Sequence, residues 1–296
     1  MPGEFDFIRW VMSQRSAGAH VLVPPGDDLA VLKWDAADLL IVGVDQVLDG
    51  VHFDSRIHAP RDIGRKVMNR NLSDCAAMAC LPAAAVATAA LPRGISLEAV
   101  KEIYRGMSEA GGLFECPIVG GDTASWDGKL VLTLTILGRS AGIAPVTRAG
   151  AKVGDGIYVS GALGGSILGR HMTFAPRVQL GRELAAAGVS AMIDLSDGLS
   201  RDLRHICEQS GVGAILQADA VPTHADAIEL GRRDGKPALW HALHDGEDYE
   251  LLFTSAIDLT QRATRIGTIA TDRRMFLENP NASREILEPL GFEHSL

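Results

Sequence analysis

Apolar and polar positions follow two rhythms along this chain. Leu39 to Val44 is a short, almost unbroken apolar run, the mark of a buried strand. Leu130 to Gly138 (Leu-Val-Leu-Thr-Leu-Thr-Ile-Leu-Gly) is the clearest strand in the sequence. Between them, Arg61 to Met78 and Ser96 to Ala110 carry the helical period, with a strand expected over Ala83–Leu91 and a short one over Pro117–Val119. The second half predicts strands at Ile157–Ser160, Ala191–Leu195, Ala214–Gln217 and Tyr249–Thr254. It also predicts a turn at Gly161–Gly165, a helix between that turn and Ala191, and helices over Leu199–Ser210 and near Ala225–Arg233. The expected class is α/β (α+β), mixed throughout, with sheet order not legible. Arg148 to Asp155 is polar, bears glycines and has no apolar rhythm, so the chain is expected to divide there, into 1–147 and 148–296.

One stretch suggests a different class. Cys75 to Leu91 is nearly all apolar, as a membrane span would be. It is rich in alanine rather than leucine and is interrupted by Pro82, so a helix end, a turn and a core strand account for it better.

Composition narrows the partners. With 28 Lys and Arg against 37 Asp and Glu the formal net charge is −9, and no basic run is present. Nucleic acid and anionic membranes are poor partners for such a surface. Cys75, Cys80, Cys116 and Cys207 show no metal or redox spacing, which predicts reduced, mostly buried thiols. The N-terminus has no basic region followed by an apolar one, and a cytoplasmic location is expected.

The common nucleotide and hydrolase signatures are missing. There is no G-x-x-x-x-G-K-[ST], no G-x-G-x-x-G and no H-E-x-x-H; Gly164-Gly165-Ser166-Ile167-Leu168 lacks the closing glycine of a nucleophile elbow. Acidic residues at the expected ends of apolar segments stand in their place: Asp27 and Asp28, Asp45, Asp74, Asp122, Asp194 and Asp197. A lone Asp is usually a helix cap or a turn residue. Several beside apolar runs cannot all remain ionised when gathered unless protons or cations share the site. Hard oxygen ligands of this kind suit Mg²⁺, which also takes water and phosphate oxygens. Gly120 and Gly121, just before Asp122, allow backbone N–H groups to approach a phosphate, and Arg148 offers a cation.

At these residues the chain resembles the thiamine-monophosphate kinase family, within the superfamily that includes aminoimidazole ribonucleotide synthetase and selenophosphate synthetase. The resemblance rests on Pro25-Gly26-Asp27-Asp28, Gly50-Val51-His52-Phe53, Asn71-Leu72-Ser73-Asp74-Cys75-Ala76-Ala77-Met78 and Val119-Gly120-Gly121-Asp122-Thr123. It continues through Arg148-Ala149-Gly150-Ala151-Lys152-Val153-Gly154-Asp155, Ile193-Asp194-Leu195-Ser196-Asp197-Gly198-Leu199 and Gly246-Glu247-Asp248-Tyr249-Glu250-Leu251-Leu252. It implies transfer of the γ-phosphoryl group of ATP to thiamine monophosphate, giving thiamine diphosphate and ADP. It implies Mg²⁺ held by Asp28, Asp45, Asp74, Asp122, Asp194 and Asp197, with Asp122, Asp194 and Asp197 as the catalytic candidates. ATP would meet Gly120, Gly121, Arg148 and Ser196, and the thiamine end would meet His52, Glu247 and Phe292. The implied architecture is two α/β domains, with the N-terminal sheets paired in a homodimer and ATP in a cleft between domains.

Departures from the family pattern are specific. Gly43 and Val44 stand where two hydroxyl residues usually precede the aspartate, and Asp245 replaces the first glycine of Gly-Gly-Glu-Asp-Tyr-Glu-Leu. The stretch from Gly169 to Met192 and the tail after Thr254 are shorter than usual, which bears on the acceptor. A related synthetase or kinase with another acceptor is one alternative; selenophosphate synthesis would want a reactive cysteine near the N-terminus, and the first here is Cys75. A nucleotide-binding regulator without turnover is the other.

Overall fold

The protein is described by a computed structural model covering residues 21–23, 27, 30–33 and 38–293. It divides into two compact units. The described residues up to Ile143 and a later excursion, Met172–Val178, form the first; Ala144–His171 and the residues from Gln179 onward form the second.

The first unit contains β1 (Val21–Val23), β2 (Ala30–Lys33), β3 (Leu39–Leu48), α1 (Pro60–Ala77), β4 (Leu81–Pro92), α2 (Leu97–Gly112), β5 (Ile118–Trp126) and β6 (Val131–Arg139). Its sheet runs β1-β2-β3-β6-β4-β5, antiparallel except for the parallel pair β4–β5 at one edge. Pleating sends alternate residues to opposite faces. Ile41, Val47, Leu132, Leu134 and Ile136 fill the face covered by α1, while Val44 on the other face is 62% exposed. Pro60 occupies the first turn of α1, where a missing N–H does no harm. Ser96 caps α2 by accepting from the Ala99 N–H at 3.1 Å. The two helices cross backbone to backbone. A Cβ at Gly64 would overlap the Ile103 carbonyl, and one at Gly106 would overlap that of Arg61. The excursion is tied in by the buried Asn69 side chain, which donates to the Phe174 carbonyl at 2.7 Å.

The second unit contains β7 (Gly156–Val159), α3 (Val178–Ala186), β8 (Ala191–Asp194), α4 (Leu199–Ser210), β9 (Gly213–Gln217), α5 (Ala225–Asp234), α6 (Ala238–His244), β10 (Leu251–Ser255), β11 (Thr264–Ala270), β12 (Met275–Glu278) and β13 (Arg284–Ile286). The sheet order is β13-β12-β9-β11-β7-β10-β8, with β9–β12 its parallel pair. β7, β8 and β10 are buried along their whole length, and Ile157, Ile193, Leu203, Ile206 and Leu252 join the core between sheet and helices.

The mixed α/β class expected from the sequence is the one found. Cys75–Leu91 resolves into the end of α1, a turn and β4, and no helix among the described residues is long and apolar enough to cross a membrane. All four cysteines are buried and free. Two expectations need correcting. The strand expected over Pro117–Val119 runs on to Trp126, and β3 continues beyond Asp45 to Leu48. Asp45 and Asp122 are thus mid-strand residues rather than strand ends. The glycines and the aspartate conceal β5, which as an edge strand needs no continuous apolar face.

Candidate functional site

The second unit holds six of the thirteen expected site residues: Arg148, Asp194, Ser196, Asp197, Glu247 and Phe292. Asp194 is the last residue of β8 and only 3% exposed, so the buried strand delivers its carboxylate to the start of the next loop. That loop, Leu195 to Gly198, leads directly into α4. Two of its carbonyls hold other parts of the site: the Ser196 oxygen accepts from the Glu247 N–H at 2.8 Å, and the Asp197 oxygen accepts from the Phe292 N–H at 3.0 Å. Glycines permit both approaches. A Cβ at Gly246 or at Gly291 would press against the Ser196 or Asp197 carbonyl, and Gly291 has a φ of 153°. Ser196, Asp197, Glu247 and Phe292 therefore belong to one hydrogen-bonded loop, with Asp194 at its root.

Glu247 is firmly positioned. It and Tyr249 both have φ of 53°, a left-handed conformation that non-glycine residues rarely adopt and that often marks functional segments. Its carbonyl accepts from Ser166 Oγ at 2.7 Å; its carboxylate meets His171 Nδ1 at 3.0 Å and Tyr249 OH at 3.4 Å. Phe292 is 42% exposed, leaving part of its ring open to a ligand.

Sequence reading missed two residues beneath this loop. Asp202 accepts from the N–H groups of Asp197 and Gly198, each at 3.1 Å, and so fixes the turn. Asp197, Asp202 and His205 bring one ligand atom each to within 4.8 Å of one another. Burial, then the charges of Asp197 and Asp194, push the Asp202 carboxyl well up, while Arg148 acts in the other direction. Burial, then Arg148, Arg201 and Arg204, holds His205 down to about 3, so this imidazole brings no positive charge to the cluster. Arg148 is half-buried, and its carbonyl accepts from Ser210 Oγ at 3.1 Å. The signal available in the sequence was the spacing of Asp202 and His205, three apart on one face of α4.

The first unit places its candidates differently. Asp28 lies outside the described residues. Asp74 is half-buried in the last turn of α1. Asp45 shares a cross-strand row with Leu134 and Ala87 on the helix side of the sheet, whereas Asp122 shares the neighbouring row with Thr88, Thr133 and Gln46. These two side chains therefore leave opposite faces and are not brought together. Asp45 is held by Arg70, whose Nε bonds Oδ2 and whose Nη2 reaches Oδ1 at 3.1 Å. Gly121 is required by the close approach of the Ala87 carbonyl, while Gly120 faces open space. Both border a cavity of about 480 Å³ with an apolar wall of Val100, Ile103, Tyr104 and Met107 and a polar rim at Asp122 and Thr123. His52 is 7% exposed, and its Nδ1 accepts from the Leu48 N–H at 3.1 Å, closing the turn after β3.

Comparison with known proteins gives the same direction along the whole chain. Residues 26–140 match the family AIR synthase related protein, N-terminal domain. The thiamine-monophosphate kinase of Rhodopirellula baltica is 37% identical over 308 residues, covering 98% of this chain and 97% of its own length. That of Bacillus subtilis is 31% identical over 326 residues, with 98% and 99% covered. A solved structure, AaThiL complexed with AMPPCP and TMP, superposes with a TM-score of 0.87 at 27% identity, covering 99% of this chain and 97% of that one. Near full-length likeness of this degree shows that the chain belongs to the thiamine-monophosphate kinase family.

Proposed function

We propose that this chain transfers the γ-phosphoryl group of ATP directly to the phosphate of thiamine monophosphate, forming thiamine diphosphate and ADP. The relatives carry that activity in their names, and AaThiL was solved with an ATP analogue and TMP. The observation that carries the reading is the loop whose Ser196 and Asp197 carbonyls receive the Glu247 and Phe292 N–H groups. It joins the acids proposed for the phosphate end to the residues proposed for the thiamine end.

Phosphoryl transfer asks for in-line positioning and for neutralisation of spreading negative charge more than for covalent chemistry. The donor set of the second unit fits a hard cation. Asp194 and Asp197 offer carboxylate oxygens, Asp202 lies below them, and the neighbouring imidazole is neutral. In the second unit Asp194 and Asp197 would hold Mg²⁺, which supplies positive charge between two anionic phosphates and this acidic protein; Asp74 and Asp122 are separate candidates of the first unit. Arg148, Ser196 and the Gly120-Gly121 backbone bind ATP in this reading, the open side of Gly120 leaving room for a phosphate. Glu247 faces the cationic thiamine, Phe292 stacks on it, and His52 borders it. The acceptor phosphate is already ionised, so no strong base is needed.

The functional unit is a homodimer in this proposal. The sheet face opposite α1 carries Val42, Val44, Thr135, Leu137 and Val86 with no covering helix among the described residues of its own unit, a surface suited to a second copy. Four buried, free thiols accord with a reducing cytoplasm. The decisive test is incubation with Mg-ATP and thiamine monophosphate, watching for thiamine diphosphate and ADP in equal amounts. ATP binding without product would reject the kinase reading; product from unphosphorylated thiamine would reassign the acceptor.

A further inference from the structure

We infer that Arg70 takes the place of one divalent ion at Asp45. The inference extends the magnesium reading above and rests on it. Asp45 is preceded by Gly43 and Val44, neither of which has a side-chain oxygen to share a metal. Its own oxygens are already engaged. Arg70 grips both in a fork, Nε on Oδ2 and Nη2 on Oδ1 at 3.1 Å, and the Gln46 N–H donates to Oδ1 at 2.9 Å. The pair is well shielded, Arg70 being 14% and Asp45 24% exposed at the side chain. A guanidinium matches a carboxylate edge-on with two parallel N–H groups, and here it uses the directions a metal would need.

Placement on α1 strengthens the case. Arg70 lies one turn before Asp74, so both project from the same side of the helix, and that side faces Asp45. A permanent cation from this helix face therefore already occupies Asp45, where an ion held by that carboxylate would otherwise sit. Asp122, on the opposite face of the sheet, does not compete for it. Loss of side-chain oxygens before Asp45 and the presence of a guanidinium on Asp45 are two halves of one change: the site carries a protein charge in place of a dissociable one.

Mn²⁺ titration of the full chain with AMPPCP present, counting bound ions by electron paramagnetic resonance, tests this without reference to turnover. Mn²⁺ shares the oxygen preference of Mg²⁺. Asp45→Asn, which keeps an acceptor for Arg70 and Gln46, should bind the native number of ions with affinity unchanged within about twofold. Asp197→Asn, tested beside it, should weaken an ion about tenfold or more. Arg70→Met should gain one Mn²⁺ equivalent, lost again in the double variant with Asp45→Asn. Loss of an ion from Asp45→Asn overturns the inference, as does an Arg70→Met protein that is folded by circular dichroism and gains none. Should Arg70→Met not fold, the Asp45→Asn count decides alone. Thiamine diphosphate formation is measured separately: a native protein that binds Mn²⁺ as expected yet makes no product counts against the kinase reading and leaves this one standing.

Discussion

Replacing Glu247 with Gln should raise the KM for thiamine monophosphate and leave kcat nearly unchanged. The substitution removes one negative charge and little else. Gln retains an oxygen for Tyr249 OH or His171, and the backbone bonds to Ser166 and Ser196 do not depend on the side chain. A thiamine cation seated about 4 Å from a carboxylate gains roughly 4 kcal/mol at an effective dielectric near 20. The Glu247 side chain is 23% exposed and also faces His171, so solvent and competition reduce the gain to ~1–2 kcal/mol. This corresponds to about 5- to 30-fold in KM. The thiazolium charge does not change as phosphate is transferred, so the interaction binds ground and transition states alike, and kcat is spared. Initial rates against thiamine monophosphate at saturating Mg-ATP measure both constants. An uncharged carbocyclic analogue gives the control, since its KM should hardly respond to the variant. A fall in kcat at constant KM, or an equal penalty on the uncharged analogue, would refute the electrostatic role of Glu247.

Other expectations follow from geometry already given. Gly64→Ala should destabilise the first unit by about 1–3 kcal/mol, read from its denaturation midpoint, because the new methyl meets the Ile103 carbonyl; Gly112→Ala, with nothing near its Cβ, should be neutral or mildly stabilising. Burial above all pushes the Asp248 carboxyl up to about 7, against the pull of Arg170 and the Gly164 N–H. A raised carboxyl favours the folded state at low pH and loses that contribution as pH climbs from about 4 to 7. Thermal melts of native protein and Asp248→Asn should therefore diverge over this window, with the native protein losing stability, on the order of a few kcal/mol, that the variant keeps; parallel melting curves across the window would contradict it. Chelation with EDTA should abolish thiamine diphosphate formation, added Mg²⁺ should restore it, and Asp197→Asn should need more Mg²⁺ for half-maximal rate.

Legibility from the sequence depended on how local the signal was. Leu199–Ser210 was readable to the residue because its apolar period, the preceding Asp-Gly turn and the Gly211 stop all lie within a few positions of it. The missed strands are short, bulged or charged: the register slips between Arg265 and Gly267, and Arg284–Ile286 is exposed throughout. The placement of Asp194 at a strand end, with Ser196 and Asp197 in the loop after it, was legible because polar residues following a buried apolar run are a local pattern. Arg70 was not, since only the fold sets a helix guanidinium beside a mid-strand carboxylate. The left-handed backbone at Glu247 and Tyr249 has no counterpart in residue type, because neither is a residue that favours it.

The Met172–Val178 excursion also sets a timetable. Asn69 is buried, and its amide finds an acceptor in the Phe174 carbonyl. A nascent chain that has emerged only to Ile143 holds every strand of the first sheet but not this partner. The intervening Ala144–His171, which belongs to the second unit, must be synthesised before the first can close. At ~5–20 residues per second that delay is roughly two to seven seconds. During it the Asn69 amide lacks its protein acceptor, and the contribution of that hydrogen bond, about 0.5–1.5 kcal/mol, is missing from the half-made protein. The two units are thus interleaved in time on the ribosome, and a gene fragment ending at residue 143 should yield a first unit that a peptide spanning Met172–Val178, added in trans, makes measurably more stable.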